Sequence, residues 1–162
     1  MRGIQNKPVA LATVIAVAVL AGCSSQSAKE KWVSSTNEKC KSLTKRFTDD
    51  LAWGDSIGKD DLDRMKKRIK QIKDLQKHAH KDPPPEVNRR DLDGWLAKLG
   101  AYANSTQEMW RYFSAARSYM NLDLVLAMST GLVKTAAEET KPLAQRLGLH
   151  KCMQVDRWEK LE

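Results

Sequence analysis

No stretch of this 162-residue sequence alternates apolar and polar residues between turn signals, so the period-two pattern of a half-buried strand is missing and β architecture is set aside. Long apolar runs are equally scarce. The run from Pro8 to Leu20 falls short of the roughly 20 residues that a helix needs to cross the hydrocarbon layer, which argues against a permanent transmembrane span. A phosphate loop is excluded as well, because Gly58-Lys59-Asp60 has neither a Ser or Thr after the lysine nor the upstream glycine at the required spacing. Histidines number three, and His78 and His80 stand two apart at the end of a helical stretch, where side chains diverge. With no third ligand in view they do not define a metal site, and no cofactor is expected.

What the sequence does contain starts at its first residues. Arg2 and Lys7 give a short positive segment, the apolar run is built from Val, Ala, Leu and Ile with only Thr13 interrupting, and small residues follow. That is the three-part plan of a secretory signal. The run ends in Leu20-Ala21-Gly22-Cys23, which resembles the lipobox of bacterial lipoproteins at each position. The resemblance implies cleavage before Cys23, diacylglycerol on its thiol, usually a further acyl chain on the new amino terminus, and so attachment to a membrane through the lipid on Cys23. At about 0.8 kcal/mol per buried methylene, two or three chains hold a protein firmly where one holds it reversibly. Ser24, Ser25, Gln26 and Ser27 read as a polar tether. The expected division is a signal peptide over 1–22, a lipidated terminus and tether over 23–34, and a single helical domain over 35–162. The expected address is the bacterial cell envelope, on the outer face of the cell membrane or on an outer membrane where the cell has one.

A mature chain of residues 23–162 is long enough for one core and hardly for two. The signal carries two of the 28 basic residues and none of the 20 acidic ones, leaving a mature charge of +6. An exported protein does not ordinarily meet nucleic acid, so this charge points to anionic lipid, a wall polymer or an acidic envelope protein as partner. With Cys23 assigned to lipid, Cys40 and Cys152 remain, and in an oxidising compartment a pair is the economical reading.

Helical periodicity fills the rest. Ser35-Thr36-Asn37-Glu38 reads as a capping box opening a first helix that runs to about Trp53, with Leu43, Phe47 and Leu51 on one stripe. Gly54 and Gly58 bracket a turn. A second helix is predicted from near Asp60 to about Lys77, with Leu62, Met65, Ile69, Ile72, Leu75 and Ala79 as its apolar face. Pro83-Pro84-Pro85 cannot continue it. From Glu86 the phase of Leu92, Trp95, Leu99, Tyr102, Met109, Phe113 and Met120 predicts one long third helix, with Gly100 and a second box at Ser105-Thr106-Gln107-Glu108 as its candidate breaks. A fourth helix would start near Asn121, carry Leu124, Met128, Leu132 and Ala136, and be kinked or interrupted by Pro142. The expected fold is an all-α antiparallel four-helix bundle closed by the Cys40–Cys152 disulfide. The ending Leu147-Gly148-Leu149-His150-Lys151-Cys152, taken with Cys40, resembles small helical lipoproteins of actinobacteria, many of unassigned activity.

Chemistry is sparse. Gly54-Asp55-Ser56-Ile57-Gly58 matches the Gly-x-Ser-x-Gly elbow and looks like the Gly-Asp-Ser of a lipase and esterase family, but a helix rather than a strand precedes it. The Asp-x-x-His that family would supply late in the chain is absent, since Asp156-Arg157-Trp158-Glu159 ends in glutamate. One concentration of charge stands out. Arg64, Lys66, Lys67, Arg68, Lys70, Lys73, Lys77 and Lys81 crowd the second helix, the first seven forming a candidate contact with an anionic surface. Trp95, Trp110, Tyr112, Phe113 and Tyr119 are either core or the lining of a ligand cleft between helices 3 and 4. The leading expectation is a non-enzymatic, membrane-anchored interaction domain. The alternative is a small-ligand or lipid carrier using the aromatic cleft, and a hydrolase centred on Ser56 stands third.

Overall fold

A computed structural model of the chain describes residues 26–52, 59–115 and 131–158. The signal, Cys23, the glycine-flanked Ser56, Tyr119 and the start of the predicted fourth helix lie outside the described residues. Those that are described form helices and connections, with no strand among them.

Helix α1 spans Ala28–Thr48. The Ser27 hydroxyl accepts from the Glu30 amide at 3.1 Å while the Glu30 carboxylate accepts from the Ser27 amide at 2.8 Å, so two orphan donors are satisfied reciprocally. The helix thus opens two turns before the predicted box, and residues 28–34 are helix rather than tether. Both boxes fit the pattern. The earlier one prevails because it lets Trp32 pack into the core and donate its indole N–H to the Ala79 carbonyl at 3.2 Å. Trp32, Thr36, Cys40, Leu43, Thr44 and Phe47 form the buried stripe.

Helix α2 spans Lys59–His80 and α3 spans Arg89–Ala115. Asn88 caps α3 by accepting from the Asp91 amide at 3.1 Å. The helix runs unbroken through Gly100 and Ser105, settling its continuity as far as residue 115. Gly100 is small where Gln76 lies: an added Cβ would come 3.2 Å from the Gln76 side-chain nitrogen, which donates to the Leu96 carbonyl at 2.7 Å. Trp32 meets Ala79 and Arg46 meets Gln71, so α1 and α2 are antiparallel; Gln76 meets Leu96 and Lys66 meets Trp110, so α2 and α3 are too.

Residues 131–138 are helical and are called α4 here. Pro142 interrupts, and a new short helix, α5, starts at Lys141–Arg146 with Pro142 in its first turn, where a missing N–H costs nothing. α5 ends in a Schellman turn. The Leu149 amide reaches the Ala144 carbonyl at 2.8 Å and the Gly148 amide reaches that of Gln145 at 3.0 Å, with Gly148 at φ +76°. The segment Leu147-Gly148-Leu149 therefore has a mechanical reason: its glycine takes the left-handed conformation that reverses the chain, and Leu149 is buried beyond it.

After that reversal a kinked 3-10 segment, His150–Arg157, lies along α1. Leu149, Cys152, Val155 and Trp158 recur every third residue and are all buried, matching the three-residue turn of this helix type. Asn37 holds the reversal from α1, donating to the Gly148 carbonyl at 3.2 Å and accepting from the Lys151 amide at 2.8 Å. Cys40 and Cys152 form the expected disulfide, their Cα atoms 4.9 Å apart. Trp158 completes the core, its indole donating to Thr44 at 2.9 Å and its ring 5.7 Å from those of Phe47 and Tyr102.

Candidate functional site

Helical phase divides the cations of α2. Asp61, Met65, Arg68, Ile72, Leu75 and Ala79 recur at intervals of three and four and face inward. Arg68 therefore leaves the candidate contact surface. It is 1% exposed, and its guanidinium donates to the carbonyls of Leu51 at 2.8 Å, Phe47 at 3.1 Å and Trp158, while lying 4.5 Å from the Phe47 ring centre. Its planar fork of donors suits a point where the ends of three segments converge. Arg64 is also engaged, with Asp61 at 3.0 Å and the Ala52 carbonyl at 3.2 Å.

What remains outside is Lys66, Lys67, Lys70, Lys73 and Lys77, all exposed, while the acids of the helix outside its buried face are Asp60, Asp63 and Asp74. None of the five lysines has a carboxylate within 4 Å among the described residues. Lys66 sits 5.0 Å above the Trp110 ring, a cation–π contact that holds it toward α3.

The aromatic residues proposed for a cleft do not share one surface. Trp95 and Phe113 are core, Trp110 is half-buried under Lys66, and Tyr112 is 55% exposed. The two histidines diverge as expected: His80 is exposed, whereas His78 is half-buried and touches Ser35 of α1, Nε2 to Oγ, at 3.0 Å. Burial, then the charge of Lys39, lowers the pKa of His78 below its ordinary 6.5, so the imidazole is neutral at pH 7.

That contact belongs to a cleft of 340 Å³ lined by Ala28, Lys31, Trp32, Ser35, His78, Lys81, Asp82 and Pro84. A serine hydroxyl on a neutral imidazole is the first element of a nucleophile–base pair, yet no carboxylate hydrogen-bonds His78 among the described residues, as orientation of the base would require. Sequence reading missed this cleft, since Ser35 and His78 are 43 residues apart and only the antiparallel register of α1 and α2 joins them. No helix among the described residues is long and apolar enough to cross a membrane. No protein-family model matches the chain, and no curated protein or solved structure shows significant similarity to it.

Proposed function

We propose that this protein is a lipid-anchored envelope lipoprotein, a non-enzymatic interaction domain that lays the lysine face of α2 on anionic phospholipid headgroups. In this reading the signal is removed before Cys23, and the domain is an antiparallel four-helix bundle whose fourth layer comes from the segments after α3. The observation that carries it is the row Lys66, Lys67, Lys70, Lys73 and Lys77, exposed and without carboxylate partners among the described residues. A surface cation with an internal partner offers little to a membrane; a free one contributes about 1 kcal/mol near an anionic leaflet. Geometry is compatible with the anchor. Four residues separate Cys23 from Ala28, so the helical domain starts within about 18 Å of the Cys23 backbone.

Two measurements test the halves of the proposal separately. The intact mass of the native protein, before and after reduction, is expected to equal residues 23–162 plus two or three acyl chains, rising by two hydrogens on reduction. A mass without acyl chains, or one retaining residues 1–22, overturns the anchor. For the surface, unlipidated Cys23→Ser protein is expected to sediment with phosphatidylglycerol vesicles at low salt and not with phosphatidylcholine vesicles. Equal retention on both refutes the lipid contact, and selective capture of a wall polymer or an acidic envelope protein instead would replace it.

A further inference from the structure

A second feature is independent of the lysine face. The N-terminal turns of α1 and the C-terminal turn of α2 frame the 340 Å³ cleft, at the end of the molecule where the described chain begins. Lys31 enters from α1 and Lys81 from the residue after α2, with Ser35 and His78 on its wall. Trp32 and Pro84 supply apolar surface beside these polar groups. The indole N–H of Trp32 is spent on the Ala79 carbonyl, and the carbonyls of Lys77 and His78 accept from the Lys81 amide. Three carbonyls at the end of α2, those of Lys77, His78 and Ala79, thus already accept hydrogen bonds, and the two lysine ammonium groups oppose the negative pole of that helix end. Asp82 is the carboxylate on the lining, set against two lysines.

We propose that this cleft binds the phosphate group of a small organic phosphate, with Lys31 and Lys81 supplying charge, Ser35 and His78 supplying hydrogen bonds, and Trp32 and Pro84 covering the organic part. Its volume falls at the small end of ligand sites, which span roughly 300–1,000 Å³. Ammonium groups bind phosphate as point charges, and the neighbouring hydroxyl and imidazole add direction. Binding also has a pH dependence. Burial first, then the charges of Lys39 and Lys81, disfavours the imidazolium of His78; Lys31 on α1 and Asp82 in the connection are the other charged groups of the cleft, and an entering anion offsets the penalty. A phosphate prefers the protonated imidazole and so raises the pKa of His78, by about one unit for each tenfold preference; a phosphodiester, whose charge stays fixed, therefore binds more tightly as the pH falls, whereas a phosphomonoester also loses charge at about pH 6.

The phosphate can come from a lipid headgroup or from a soluble metabolite, and one titration separates the two. The ring resonances of His78 are followed by NMR in the full-length native protein during addition of inorganic phosphate, glycerol 3-phosphate, or nanodiscs of phosphatidylglycerol or phosphatidylcholine. The expected result is a saturable shift of the His78 resonances and a raised pKa, lost in Lys31→Gln/Lys81→Gln and retained in Lys70→Gln/Lys73→Gln. Both altered pairs are exposed, so neither removes packing. A response to glycerol 3-phosphate identifies a soluble source; a response confined to phosphatidylglycerol identifies a headgroup. No shift with any probe at tens of millimolar, or a shift that survives Lys31→Gln/Lys81→Gln, overturns the proposal whatever the mass measurement says of the anchor.

Discussion

The two sides of α2 treat positive charge in opposite ways. On the inner side Arg68 is fully buried and holds carbonyls from the end of α1, the following turn and the C-terminal segment. On the outer side, two residues along, Lys70 stands in solvent with no carboxylate near it among the described residues. The α3 side of the molecule offers a third treatment, in which cations pair across helices: Lys98 with Glu139 at 2.7 Å and Arg146 with Asp91 at 2.8 Å. A cation in this protein is structural where backbone oxygens converge, a seam contact where a carboxylate faces it, and available to another molecule where neither does. Density of charge along the sequence does not separate these cases.

Four experiments press on that contrast. Replacing Cys40 and Cys152 by serine leaves the inner side without its covalent link, and since the closed loop spans 112 residues the expected loss is about 5 kcal/mol by loop-closure entropy, read from urea unfolding. Arg68→Ala should follow closely, at roughly 3–5 kcal/mol, because it strands three inward carbonyls; a loss below about 1 kcal/mol would mean that Arg68 is no more structural than the outer lysines. Changing Lys67, Lys70, Lys73 and Lys77 together to Gln should move stability by about 0.5 kcal/mol or less per site while weakening retention on phosphatidylglycerol vesicles on the order of 100-fold or more. A large stability loss there would erase the distinction between the two sides. The smallest effect belongs to His78. Its pKa is depressed in the folded protein, so the unfolded chain takes up the proton first, and stability present above the ordinary value of 6.5 declines as the pH falls below it. Thermal melts from pH 7.5 to 5 should show that decline, and His78→Gln should flatten it.

Much of the helical plan was legible, because burial leaves a three-and-four spacing that any packing arrangement preserves. The bounds of α2, the continuity of α3 through Gly100 and the interruption at Pro142 follow from local residues, and the Cys40–Cys152 pair from counting the cysteines left beside Cys23. The inward place of Arg68 was legible too, since it is in phase with Met65, Ile72 and Leu75; counting cations along the helix without their phase conceals it. Local residues place the start of α1 too late, at Ser35, because the box at Ser27 draws its advantage from the distant contact of Trp32 with Ala79, which they do not reveal. The 3-10 segment carries a period of three over a stretch too short to stand out. The cleft had no local signal, since helix register is a property of the packed molecule.

The position of Trp158 sets the order of events in making the fold. Its indole is bonded to Thr44, its carbonyl to Arg68, and its ring packs on Phe47 and Tyr102. Until Trp158 is in place, α1, α2 and α3 therefore surround an unfilled centre. The keystone and the second half of the disulfide lie within seven residues of each other. Filling of the centre and closure of its covalent lock thus wait on the same long loop, which ties the last packing step to the bond that fixes it.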